Sequence, residues 1–167
     1  GFGFKLMYGD MISLPELFIF LLFIKKYKII HLVRENIFDK VCSHLFAKQS
    51  NIWTTSKTIK TSKIEVSPSE IVSLIKTEKR KECFFKNILK LSRNPVLFVA
   101  YNDLIENQAD TLESIYSFLQ FKFELNFTET PPTKKQISTP LSDLFYNWKE
   151  IEIKMKKEGL GHYLNKC

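Results

Sequence analysis

Lys28 to Trp53, KIIHLVRENIFDKVCSHLFAKQSNIW, is the stretch whose reading decides the fold of this chain. Ile29, Ile30, His31, Leu32 and Val33 form a short, almost uninterrupted apolar run. Such a run fits a parallel strand buried on both faces. Arg34 stands where that strand should end. Asn36 then offers an N-cap, and Ile37 to Gln49 reads as a helix. A cation at a strand end, followed at once by a helix N-terminus, is a place where an anion can bind. Ser43, further along the helix, adds a hydroxyl that can donate to phosphate oxygens.

Upstream, Phe2 to Met7 alternates as a strand would. Ser13-Leu14-Pro15-Glu16 reads as a helix start, with Ser13 as cap and Glu16 at the third helical position. That helix should reach about Lys26, where Lys25 and Lys26 suit its negative end. The order strand, helix, strand, helix implies an α/β layer with a parallel sheet.

Downstream, Ser50 to Val66 is polar and weakly periodic, a surface loop with a short extended piece at Lys63 to Val66. Ser67-Pro68-Ser69-Glu70 is a second helix start, and apolar Ile71, Ile75, Cys83 and Leu89 suit a long helix to about Leu91. Its charged middle, Lys76 to Glu82, should face water. Arg93-Asn94-Pro95 breaks that helix. Val96 to Tyr101 is apolar enough for a central strand. Asp103 to Asn107 should turn away from it, and Asp110 can cap a helix over Thr111 to Gln120. Phe121 to Phe127 reads as irregular or extended, and Glu129 to Thr139 as loop. Thr139-Pro140 should open a last helix through about Glu158, with Leu141, Leu144, Phe145, Trp148 and Ile151 as its stripe. Gly159 and Gly161 should end it.

With 167 residues, 44% of them hydrophobic, the chain is long enough for one domain, 1–167, with a real core. A net charge of +7 suits an anionic ligand such as a nucleotide or a polyanionic acceptor. It also suits RNA, DNA or a membrane surface, and charge alone favours a lysine-rich solvated exterior. Cys42, Cys83 and Cys167 are scattered, which argues against a structural zinc site and gives no disulfide framework. The apolar run Leu17 to Ile24 is shorter than the roughly 20 residues that span a bilayer, and is expected to be a buried helix. Compartment is left open by the sequence.

The pattern L-x-R-E-N-(I/L)-x(5)-S, followed by Ala47 and Trp53, resembles the 3′-phosphate-binding segment of sulfotransferases. The matching residues are Leu32, Arg34, Glu35, Asn36, Ile37, Ser43, Ala47 and Trp53. These enzymes use 3′-phosphoadenosine 5′-phosphosulfate (PAPS) as donor. FKLMYGDM, VAYNDL, LESIYSFL and KKQISTPLSDLFYNWKEIE look like further landmarks of the family, in family order. The resemblance implies a three-layer, mostly parallel sheet with helices on both faces, a P-loop-like sulfotransferase fold. It implies transfer of a sulfuryl group to a hydroxyl or amine, on a carbohydrate or lipid, with no metal. It assigns the 3′-phosphate to Arg34 and Ser43. A late basic loop in the family closes over the nucleotide, which makes Lys135 a third candidate contact. The family also opens with a strand and a loop that grips the 5′-phosphosulfate. No such loop precedes Phe2, and no G-x-x-x-x-G-K-[ST] occurs, so the expectation is an N-terminally truncated version in which the catalytic base is unassigned. Asn102 stands where the family often has glutamate.

Each of these residues also has a structural alternative. Arg34 can pair with Glu35 or Asp39, Ser43 can bond the carbonyl four residues back, and Lys135 can be solvated. His31 is expected to be a core or half-buried histidine rather than a base. Trp53 and Trp148 are expected to pack, and Tyr101 and Asp103 to organise the turn after the strand. Two other functions stay open: a non-catalytic sulfotransferase-like fragment, and a basic nucleic-acid-binding module.

Overall fold

Ile29–Val33 (β1) and Val96–Ala100 (β2) pair in parallel, from Ile29 opposite Val96 to Val33 opposite Ala100. Both are short apolar runs, and a parallel pair needs a long crossover between them. That crossover is helical here: Ile37–Ser50 (α2) and Pro68–Leu91 (α3) lie between the strands in sequence. The chain is therefore α/β, with a two-stranded parallel sheet and several helices. This computed structural model describes residues 3–16, 19, 23, 27–50, 63–122 and 140–166. Tyr8–Ser13 (α1) precedes the sheet. Tyr101–Glu106 (α4), Gln108–Leu119 (α5) and Trp148–Lys157 (α6) follow β2.

Two compact units interleave in sequence. The first comprises Gly1–Glu35 and Arg80–Leu125, the second Asn36–Lys79 and Asn126–Cys167. Helix α3 contributes its first half to the second unit and its second half to the first.

The second unit holds a continuous apolar core. Phe38, Cys42, Ile71, Ile75, Leu144, Phe145, Ile151 and Met155 are all fully buried in it. The periodicity of α2 and α3 accounts for this: Phe38, Val41, Cys42 and Leu45 share one stripe, and Ile71, Val72 and Ile75 another. Trp148 packs on the same core, stacked near Phe145 and tilted on Phe38. Asn36 caps α2 as its position in the sequence predicts. Its Oδ1 accepts from the backbone N–H groups of Phe38 and Asp39 at 3.1 and 3.2 Å.

In the first unit the sheet is flanked by polar and aromatic contacts. Asn94, buried in the break after α3, accepts from the Tyr27 backbone N–H at 3.1 Å through its Oδ1. The backbone N–H of Ile29 donates to the Pro95 carbonyl and extends the ladder by one bond.

Several elements differ from expectation, each for a local reason. Gly3 to Met7 is not a strand, because among the described residues β1 and β2 pair only with each other. Phe2 lies outside the described residues. Ser13 ends α1 rather than capping a later helix; Asp10, whose carboxylate accepts from the Met7 backbone N–H, caps α1 from within. Pro15, Glu16, Ile19 and Phe23 are helical, and the other residues of 17–26 lie outside the described set. Cys83 is exposed, and Phe85 takes the buried place on α3. Asp103 to Asn107 largely falls within α4 rather than a turn, and Asp110 sits inside the first turn of α5 rather than capping it. The expected last helix is broken. Leu141–Asp143 is a short 3-10 turn, and Ile64 bridges Phe145 by bonds from the Ile64 N–H to Leu144 O and from the Tyr146 N–H to Ile64 O. Those bonds need extended backbone at Phe145, so α6 starts only at Trp148. Gly159, at φ +73°, ends α6, whereas Gly161 lies in a following 3-10 segment.

Candidate anion-binding site

The parallel register sets the site. Val33 and Ala100 are partners, so the next residues, Arg34 and Tyr101, leave the sheet at the same, C-terminal edge. In open α/β sheets this is the edge at which ligands collect. The Arg34 guanidinium carbon lies 4.3 Å from the centre of the Tyr101 ring. That is within cation–π range, and the contact helps to place the guanidinium over the ring. Arg34 is half-buried, so its charge is only partly screened by water. A guanidinium is the side-chain group that can give two parallel bonds to a phosphate or sulfate oxygen pair.

The first amides of α2, in the second unit, are partly taken up within that unit. Two of them already donate to the Asn36 carboxamide, and the Asn36 Nδ2 donates to the Tyr163 carbonyl at 3.4 Å.

Ser43 belongs to the second unit and lies half-buried on α2. Its hydroxyl has no hydrogen-bond partner among the described residues, so the bond to the carbonyl four residues back is not made. Lys135, with Lys134 and Gln136, lies outside the described residues, as does Trp53. His44 is exposed on α2. Lys5 is exposed in the irregular segment before α1.

His31 is buried in β1, as its place in the strand predicts. Its Nε2 lies 2.6 Å from the Tyr8 hydroxyl, and its ring meets Phe98 of β2 edge-on at 5.3 Å. Its Nδ1 is buried with no hydrogen-bond partner. Burial first, and the Lys86 ammonium second, hold the imidazole below the ordinary histidine range. Among the described residues no group of three or more His, Cys, Asp or Glu side chains could hold a metal ion. No helix among them is long and apolar enough to cross a membrane.

Sequence reasoning missed Tyr101 as the partner of Arg34 and Tyr8 as the partner of His31. The first had a signal: Tyr101 follows its strand as Arg34 follows its own, so pairing the two strands in parallel makes the residues neighbours. The second had none, since 23 residues separate Tyr8 from His31.

Comparison with known protein families, with curated proteins and with solved structures gives no match to this chain.

Proposed function

We propose that this chain is a PAPS-dependent sulfotransferase, or a sulfotransferase-like fragment, that holds the 3′-phosphate of the nucleotide through Arg34. The observation that carries the reading is the Arg34 guanidinium lying over the Tyr101 ring at the C-terminal edge of a parallel strand pair. The sequence resemblance names the same arginine and adds Ser43 and Lys135 as further nucleotide contacts. It also carries the finer architecture, a three-layer, mostly parallel sheet of which β1 and β2 would be two strands.

In the reaction an acceptor hydroxyl or amine attacks sulfur, and the bond from sulfur to the bridging phosphate oxygen breaks. The nucleotide leaves as 3′-phosphoadenosine 5′-phosphate, and the acceptor proton passes to a base. Cations and amide donors are needed around the transferring group. The remote 3′-phosphate supplies binding energy that orients the reacting end. One charge-assisted bond of this kind contributes ~1.5–3 kcal/mol.

The test is a calorimetric titration of the full chain with 3′-phosphoadenosine 5′-phosphate. Wild type should bind, Arg34→Ala should bind roughly ten- to a hundredfold more weakly, and Ser43→Ala should lose less. Equal affinity in wild type and Arg34→Ala removes Arg34 from the site. Binding without transfer from PAPS to any hydroxyl or amine acceptor favours the non-catalytic form.

A further inference from the structure

Helix α1 buries none of its residues. Tyr8 is half-buried, and its contacts with Phe85 and His31 tie α1 to the rest of the first unit. Its ring stacks on Phe85 of α3 at 4.3 Å, nearly parallel at 13°. Its hydroxyl meets His31 Nε2 on β1 at 2.6 Å. The elements around the imidazole present Tyr8 from α1, Phe98 from β2 and the Lys86 charge from α3. No carboxylate among the described residues is one of the groups that shift it.

Two neutral tautomers are compatible with the Tyr8 bond. With the proton on Nε2, that nitrogen donates to the tyrosine oxygen and Nδ1 is a bare acceptor. With the proton on Nδ1, the tyrosine donates to Nε2 and a buried N–H is left without an acceptor. An unpaired buried N–H is the rarer and costlier state, so the first arrangement is favoured. Adding a proton then has one destination, Nδ1. It creates a buried N–H with no acceptor and places a cation beside Lys86.

We infer that the Tyr8–His31 contact is a proton-operated latch, closed with a neutral imidazole and opened by protonation of Nδ1, which releases α1 from the sheet. Opening lets the imidazolium reach water and separate from Lys86. The direction of the pH effect follows from linkage. The closed form holds the imidazole below its free value, so the open form takes the proton more readily. The closed form is favoured fully above the ordinary histidine value of about 6.5, and that advantage is lost as pH falls through the lowered value.

The experiment follows His31 and α1 together in the full chain by NMR, from about pH 7.5 to 5, a window centred near the free histidine value. The His31 ring signal should titrate with a midpoint below that value. The amide signals of Tyr8–Ser13 should move toward unfolded positions with the same midpoint. Lys86→Gln should raise both midpoints together, and Tyr8→Phe should leave the α1 amides near unfolded positions at every pH. In His31→Gln the α1 amides should no longer respond to pH. A His31 midpoint at or above the free value, or α1 amides that stay fixed while His31 titrates, overturns the inference. Wild type and Lys86→Gln alone decide it if His31→Gln does not fold. Loss of nucleotide binding in Arg34→Ala bears on the proposed function and leaves this result untouched.

Discussion

Among the described residues, the second unit is held by an apolar core, whereas the first shows fewer buried apolar side chains beside its strand pairing and polar contacts. In the second, Phe38, Ile71, Ile75, Phe145, Ile151 and Met155 are sealed from water. In the first, among the described residues, the buried apolar side chains are Phe85, Leu89 and Val99, joined by the polar His31 and Asn94. Leu32 of β1 remains 50% exposed, as do Phe4, Met7 and Ile12 at similar levels before and within α1. Two strands alone make a weak sheet, so cohesion here draws on particular contacts: Tyr27 to Asn94, Tyr8 to His31, Arg34 to Tyr101. The candidate anion residue and the titratable latch both belong to this less sealed unit. Elements that bind or move are commonly drawn from the less stable part of a fold.

The sharpest way to break this contrast is to truncate one side chain in each unit. Phe38→Ala should cost about 3–5 kcal/mol in urea unfolding, because it empties a closed core. Leu32→Ala should cost about 1 kcal/mol or less, since half of that side chain is already in water. Similar costs for the two would erase the distinction.

A smaller effect is expected at the cap of α2. Asn36→Ala removes the acceptor for two helix amides and should destabilise the chain by ~1 kcal/mol. Asn36→Asp should recover most of this, because an aspartate oxygen can accept the same bonds. The smallest effect is electrostatic. Hydrogen bonds from Lys76 and then Lys154 hold the exposed Glu158 carboxyl down to about 2, from an ordinary 4.5. Its contribution is present above the ordinary value and is lost as pH falls toward about 2. In Lys76→Gln, an NMR titration should show the Glu158 midpoint move up, and high salt should reduce the difference.

What the sequence made legible follows the same division between local and distant causes. The strand Ile29–Val33, the Asn36 cap, the long helix from Pro68 to Leu91 and its break at Asn94-Pro95 are set by residues within a few positions of each other. All were readable. The broken last helix was not, because Ile64 and Phe145 pair across a long stretch of chain. Phe2 to Met7 alternates like a strand, but alternation supplies no partner, and Gly3 to Met7 has none among the described residues. At the site, Arg34 was placed at a strand end by pattern alone. Its ring partner Tyr101 became visible only once the strands were paired in register. Tyr8 and His31 meet through packing that no short window of sequence contains.

The central claim joins one side chain to one chemical group, so the decisive measurement varies both. Wild type and Arg34→Ala are each titrated with 3′-phosphoadenosine 5′-phosphate and with adenosine 5′-phosphate, which lacks the 3′-phosphate. Removing the 3′-phosphate should weaken binding to wild type by roughly tenfold or more and change binding to Arg34→Ala little. If both proteins lose the same factor, Arg34 does not touch the 3′-phosphate and the account of the site is wrong.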